Sequence, residues 1–226
     1  MCIRDSIHTE FFTSWVRNFE PLNPASIPRW PTSGGIYEPL YIYNPVQTEW
    51  VPWLATDYTW QDSNKKLLFT IRSGVQWSDG KPFTAHDVAY TFNLKKKYPA
   101  LDTRNSWGYL ESVDAVSDTK VEVNFNRVYV PGFGAIAEQI IIPKHIWKEL
   151  EDPLKFSNPN PVGTGPFTEV LRFNSQVWEL GKNPNYWQKG KPHIEKLVFP
   201  THSNNEQTTL ALLSGKLDWA GAFIPA

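Results

Sequence analysis

Residues 74–92, GVQWSDGKPFTAHDVAYTF, carry the clearest local folding signals in this chain of 226 residues. The tripeptide at 78–80, Ser-Asp-Gly, is typical of a polar turn, because Asp bonds nearby backbone N–H groups and Gly adopts positive φ without steric cost. Thr84 followed by Asp87 predicts a helix that begins at Ala85, since both side chains can accept from free N–H groups of the first turn. The stretch therefore predicts a turn that leads directly into a helix.

The residues on either side extend this pattern. Residues 67–72, LLFTIR, alternate apolar and polar side chains, which predicts a strand with one buried face. After the turn, apolar residues recur at helical spacing from Ala85 to Phe92, and three lysines at 95–97 suit the last turn of a helix. The segment as a whole predicts a strand, a turn and a helix, in which Trp77 and Phe83 can serve simply as core.

As a string, residues 69–92 resemble the signature of bacterial extracellular solute-binding proteins of family 5, the peptide- and oligosaccharide-binding receptors of ABC importers. Three later segments are similar to further landmarks of that family: VGTGPF at 162–167, NPNYW at 183–187 and GKLD at 215–218. The resemblance extends along nearly the whole chain after residue 10.

The resemblance implies an α/β, periplasmic-binding-protein-like class II fold that is incomplete, with the second ligand-binding lobe missing. Residues 1–6 are expected to be a non-native or disordered leader. Residues 7–35 and 162–226 are then two segments of the large lobe, and residues 36–161 form a small inserted α/β lobe. The Asp-, Asn- and Pro-rich stretch at 151–161 favours a boundary there.

Elsewhere, local patterns predict the remaining elements. Alternation predicts strands at 8–16, 36–43, 110–116, 119–125, 167–173, 177–182, 194–199 and 217–220. Ser203 and Glu206 have the spacing of a capping box, which predicts a helix to Leu213 between two parallel strands. Trp50, Trp53 and Trp60 are assigned to a loop, where a core role is favoured over an exposed stacking platform.

Composition excludes several function classes. The 22 basic and 23 acidic residues give a net charge of −1, so we expect no electrostatic footprint for nucleic acid or for an anionic membrane. The single cysteine, Cys2, excludes an internal disulfide and a cysteine-based metal cluster. No apolar run approaches the roughly 18 residues that a membrane span needs.

The sequence contains no recognisable catalytic pattern. The five histidines lack metal-ligand spacing, and there is no Gly-x-Ser-x-Gly motif. Gly163 and Gly165 lack the Gly-Lys-Ser/Thr of a phosphate loop. Glu111 and Asp114 could be imagined as a glycosidase pair, but solvated charges on a hairpin are the simpler interpretation. We therefore expect no enzyme, no cofactor and no metal site.

Ligand-contacting residues are implied by the resemblance rather than by any local pattern. Aromatic rings suit sugar rings and peptide side chains alike, and the chain has 11 Trp, 9 Tyr and 13 Phe. For several of these positions a purely structural role, such as Trp30 packing on neighbouring prolines, is the alternative. The family's ligand-facing positions fall on Arg29, Trp30, Trp107, Tyr109, Trp219 and Gly221.

The implied function is capture of an extracellular solute, an oligopeptide or dipeptide, for delivery to the transmembrane subunits of an ABC permease. The same type of receptor binding cello-oligosaccharides is an alternative. A different class, a carbohydrate-binding module of a secreted enzyme, would be marked by a planar row of exposed Trp on one sheet. The full-length receptor is expected to be monomeric.

The resemblance also implies a periplasmic or extracellular location, with a lipid anchor as one possibility. Residues 1–6, MCIRDS, have neither a basic n-region with an apolar core nor a lipobox, so no export signal is expected in this chain. The incomplete fold predicts that this chain alone binds solute weakly and exposes an unpaired sheet edge.

Overall fold

The computed structural model describes residues 6–8, 16–26 and 28–220, which form a mixed α/β structure. The strands are β1 (Ser6–His8), β2 (Tyr41–Asn44), β3 (Glu49–Pro52), β4 (Ala55–Gln61), β5 (Lys66–Ile71), β6 (Leu110–Ser117), β7 (Lys120–Phe125), β8 (Phe167–Phe173), β9 (Val177–Lys182) and β10 (Lys196–Pro200). The helices are α1 (Ala85–Lys97), α2 (Gly132–Ala137), α3 (Lys144–Trp147) and α4 (Asn205–Leu213). None of the described helices combines the length and the apolar character that crossing a membrane requires.

The described strands form three sheets. One sheet has the order β1-β10-β9-β8, another has the order β4-β5-β7-β6, and β2 pairs only with β3. β1 runs parallel to β10, and every other pairing is antiparallel. The opening strand therefore pairs with a strand beyond residue 162 and not with β5, while the lobe boundaries at 36 and 161 stay a prediction.

The signature stretch folds as its sequence predicts. Along β5 buried and half-buried residues alternate. The turn closes where the Gly80 N–H donates to the Trp77 carbonyl at 2.8 Å. α1 begins at Ala85, and the Asp87 carboxylate accepts from the Thr84 N–H at 2.9 Å, as a capping box requires. Short-range hydrogen bonds thus fix the turn and the start of α1, which is why the sequence alone was sufficient to predict them.

The region before β5 differs from its prediction. The segment at 36–43 is not one strand: a kinked turn covers Thr32–Ile36, and β2 begins only at Tyr41. The predicted loop around the three tryptophans is wrong, because these residues lie on β3 and β4 or between them. Pro52 concealed β3 in the sequence, but it occupies the last position of that strand, where no further ladder bond is needed.

The C-terminal region also departs from its prediction. The N-cap of α4 is Asn204 rather than Ser203, and its side chain accepts from the Gln207 N–H at 2.9 Å. Residues 217–220 contribute a single bridge position at Trp219 instead of a strand. Most of the strand predicted at 8–16 lies outside the described residues.

Two glycines allow the backbone at 163–165 to cross the backbone at 35–36. The Gly165 N–H donates to the Ile36 carbonyl at 2.9 Å. A Cβ added to Gly163 would lie 1.9 Å from the Ile36 carbonyl oxygen, and one added to Gly165 would lie 2.3 Å from the Gly35 carbonyl oxygen. No side chain fits between these two backbone segments. The Gly-Thr-Gly landmark is therefore a site of close backbone approach rather than a ligand loop.

We predict that Gly163→Ala destabilises the fold by more than about 3 kcal/mol, because the clash is with backbone that cannot move aside. Gly134→Ala on α2 is the matched control, since its new Cβ meets only the edge of the Trp50 ring at 3.3 Å and gains helix propensity. Urea unfolding of both variants measures the difference. Equal stability of the two variants would contradict the close-approach interpretation.

The carboxylate of Glu38 joins three chain segments next to this crossing. It accepts from the Trp53 indole N–H at 2.7 Å, from the Trp187 indole N–H at 3.0 Å and from the Tyr186 hydroxyl at 3.2 Å. Glu38 is 1% exposed. Burial raises the pKa of its carboxyl to about 7, against the opposing effect of these hydrogen bonds, which favour the ionised form.

We predict that the stability contributed by Glu38 decreases as pH rises. Because its folded-state pKa exceeds the unfolded value of 4.5, the folded state alone holds this proton between about pH 4.5 and 7. The contribution is complete below pH 4.5, falls by about 3 kcal/mol up to pH 7, and is constant above it.

Glu38→Gln removes the titration and isolates this effect. Urea unfolding at pH 5 and at pH 8 should show that the wild type loses about 3 kcal/mol relative to the variant at the higher pH. A wild-type-to-variant difference that is the same at both pH values would show that Glu38 does not titrate in this range.

Candidate functional site

Four aromatic side chains form a column that runs from the interior of the β8–β10 sheet to the surface. The rings of Trp178 and Phe199 are stacked at 3.7 Å, and Phe199 contacts Trp30 edge-on at 5.8 Å. Trp30 in turn lies 5.3 Å from Trp219. The inner pair is buried, whereas Trp30 is 43% and Trp219 is 51% exposed. This aromatic column therefore presents two adjacent indole rings to solvent.

The loop that carries Trp30 is held by its own hydrogen bonds. The buried Glu20 carboxylate accepts from the Leu22 N–H at 2.8 Å and from the Asn23 N–H. The Asn18 carbonyl accepts from the Arg29 N–H at 2.8 Å, which ties the two ends of the loop together. Trp30 is thus presented from a preorganised backbone, which lowers the conformational entropy lost on ligand binding.

Arg29 lies beside Trp30 in sequence, but its side chain is buried, with 2% of its surface exposed. Its carbonyl accepts from the Thr32 N–H at 2.9 Å, so Arg29 belongs to the turn that supports the Trp30 ring. The structure places Arg29, Trp30 and Trp219 in one region, with Arg29 beneath the surface and the two tryptophans on it.

Trp107 and Tyr109 belong to a different group of contacts. The Trp107 indole N–H donates to the Phe92 carbonyl at 2.9 Å, and the Lys96 ammonium lies 4.3 Å from the centre of the Trp107 ring. Tyr109 is buried and stacks on Phe125 at 6.0 Å. Within the described part of the chain, no ring contact links this group to the aromatic column.

The remaining predicted position, Gly221, lies outside the described residues. The structure adds Phe199 and His202, which no sequence pattern indicated. Phe199 supports Trp30, and the buried His202 Nε2 has no hydrogen-bond partner among the described residues. Phe199 lies near the carboxyl end of β10, and His202 lies just beyond that end. β10 runs parallel to β1, and open α/β sheets bind ligands at the carboxyl ends of parallel strands.

The described residues show which side chains this region offers. Within residues 6–8, 16–26 and 28–220, no three His, Cys, Asp or Glu side chains are arranged to hold a metal ion. The exposed tryptophans in that same part of the chain are Trp30 and Trp219, which lie on loops and not in a row on one sheet. The aromatic column thus offers two adjacent indole faces on loops.

Comparison with known proteins identifies the family. The profile described as "Bacterial extracellular solute-binding proteins, family 5 Middle" matches residues 49–226, which is more than half of the chain. The chain therefore belongs to the family 5 extracellular solute-binding proteins. The predicted fold class, a periplasmic-binding-protein-like α/β fold, is confirmed.

Individual relatives support this membership. The chain is 28% identical over 224 residues to the "Nickel-binding periplasmic protein" of Escherichia coli, covering 92% of this chain and 40% of that protein. It is 29% identical over 186 residues to the "Oligopeptide-binding protein OppA" of Bacillus subtilis, covering 74% of this chain and 34% of that protein. The chain thus spans about 40% or less of these two relatives.

Solved structures agree with the sequence relatives. The mannohexaose-bound periplasmic oligopeptide-binding protein of an oligopeptide ABC transporter from Thermotoga maritima superposes with a TM-score of 0.90 at 29% identity. That match covers 100% of this chain and 43% of the other. The fold of this chain is therefore the fold of less than half of such a receptor.

We predict effects of different size for two conservative tryptophan substitutions. Trp107→Phe deletes the indole donor to the Phe92 carbonyl and should lower the free energy of unfolding by about 1–2 kcal/mol. Trp30→Phe removes part of an exposed ring and should change stability by less than about 0.5 kcal/mol. Chemical unfolding measures both, and a larger loss for Trp30→Phe would contradict this division between supporting and exposed rings.

Proposed function

We propose that this protein is the solute-binding receptor of an ABC importer and that Trp30 and Trp219 hold an oligosaccharide. The exposure of two adjacent indole rings at 5.3 Å is the observation that carries this proposal. Indole faces provide large, rigid apolar surfaces, and their N–H groups can donate at the ring edge. Successive sugar rings can stack on such a pair.

One solved relative supports the same ligand class. The Thermotoga maritima protein, with a TM-score of 0.90 to this chain, was solved with mannohexaose bound. An oligopeptide is the second candidate, because that protein is described as oligopeptide-binding and the Bacillus subtilis relative carries the same description. In either case the partners would be the transmembrane subunits of a permease, and the location would be periplasmic or extracellular.

The lobes and the remaining site residues are part of this proposal. Residues 7–35 and 162–226 would form the large lobe that carries Trp30 and Trp219. Residues 36–161 would form the small lobe that carries Trp107 and Tyr109. We place Arg29 as the support of Trp30, and Gly221 next to Trp219 in sequence. Trp107 and Tyr109 stay candidate ligand contacts, on the small lobe.

Isothermal titration of a complete receptor that carries these residues tests the proposal. Cellohexaose, mannohexaose and a mixed pool of tri- and tetrapeptides are titrated in turn. Trp30→Ala and Trp219→Ala should each weaken sugar binding by about 1–3 kcal/mol, because each removes one stacking face. Tyr43→Ala is the matched control, since Tyr43 is a similarly exposed aromatic residue on β2, outside the column.

The outcomes separate the candidates. Sugar binding that depends on both tryptophans supports the oligosaccharide receptor. Peptide binding without sugar binding would favour the second candidate. Affinity that is unchanged by both tryptophan substitutions, in folded variants, would remove the aromatic column from the ligand site.

A further inference from the structure

A cavity of about 300 Å³ lies where the signature turn meets the starts of α1 and α3. Its wall is strongly basic, although the chain as a whole has a net charge of −1. The basic side chains of the wall are Lys81, His86, Lys144, His145 and Lys148, and the single carboxylate is Asp87. None of these residues belongs to the aromatic column.

The Asp87 carboxylate is already engaged in the fold. One oxygen accepts from the Thr84 N–H at 2.9 Å and the other accepts from the Lys144 N–H at 2.9 Å. Asp87 is also buried, and this burial raises the pKa of its carboxyl. Its role as helix cap and as link to α3 leaves the basic groups to define the chemistry of the cavity.

Two pairs of residues orient the imidazoles of the wall. His145 Nε2 lies 2.8 Å from an Asp79 oxygen, and His86 Nε2 lies 3.4 Å from an Asp118 oxygen. Neither of these aspartates belongs to the cavity wall. These contacts hold each ring in place at the cavity.

The lysines of the wall carry its exposed positive charge. Lys148 contacts Glu149 at 3.2 Å and Lys81 contacts Asp79 at 4.0 Å, and both lysine side chains are more than half exposed. Such surface ion pairs contribute little to stability, so each lysine can leave its carboxylate for another anion. The Lys144 ammonium has no carboxylate within ion-pair distance in the described part of the chain. An entering anion can therefore recruit three ammonium groups at small cost.

We propose that this cavity binds a phosphate group, carried either by a small soluble anion or by a phospholipid headgroup. Lysine ammonium groups bind phosphate as compact point charges, whereas a carboxylate ligand would be better matched by the planar fork of arginine, which the wall lacks. Several ammonium groups around one centre suit a tetrahedral dianion. The backbone N–H of His86 is occupied by Thr84 Oγ1 at 3.3 Å, so the side chains provide the site.

The histidines give a local readout of phosphate binding. Inorganic phosphate is titrated into the chain at constant ionic strength against chloride, and the imidazole resonances are followed by NMR. We expect saturable shifts at His86 and His145 and none at His193, which lies outside the cavity. The double variant Lys144→Gln/Lys148→Gln should raise the apparent Kd about 10-fold or more. The exposed pair Lys155→Gln/Lys189→Gln is the charge-matched control and should leave the Kd unchanged.

Vesicles distinguish the two sources of phosphate. Phosphatidylcholine vesicles with and without phosphatidic acid are sedimented with the wild type and with both double variants. Lysine-dependent sedimentation with phosphatidic acid supports a headgroup site, and saturable phosphate binding without sedimentation supports a soluble ligand. The proposal is overturned if neither probe binds, or if the control variant weakens binding as much as the cavity variant does. Since no sugar or peptide is involved, these outcomes are independent of the proposed receptor function.

Discussion

The close crossing of the backbone at 163–165 over the backbone at 35–36 is the constraint on which the rest of the structure depends. The 35–36 segment ends the turn that begins after Trp30, and its own Gly35 packs so tightly on Pro31 that an added Cβ would lie 2.4 Å from that ring. The crossing also receives the Asn183 side chain, whose amide donates to the Gly165 carbonyl at 3.0 Å. This one crossing therefore fixes both the position of the exposed Trp30 ring and the place where the sheets meet.

Glu38 strengthens this junction through chemistry of a different kind. Three aromatic donors converge on one buried carboxylate, and two of them belong to the NPNYW segment while the third lies between β3 and β4. Arg72 adds a cation 4.5 Å from the centre of the Trp187 ring and donates to the Trp53 carbonyl at 2.7 Å. Desolvation opposes these contacts, which is why the junction is coupled to pH.

Aromatic richness has two separate uses in this chain. Trp53 and Trp187 direct their N–H groups inward to Glu38, and Trp107 directs its N–H to α1, so these rings act as structural donors. Trp30 and Trp219 instead expose their rings beside a packed pair. Composition could not separate these uses, because a tryptophan's role depends on whether its N–H finds a partner inside the fold.

The sequence by itself determined the elements that local hydrogen bonds and alternation specify: β5, the turn at 78–80, the start of α1 and the β6–β7 and β8–β9 hairpins. It also carried the family membership, because the long signature string is itself local. Only the tertiary structure decided that Trp30 and Trp219 are adjacent, that Trp107 is engaged by α1, and that five basic residues surround one cavity. These facts join residues tens to hundreds of positions apart, and non-local packing, rather than propensity, sets such contacts.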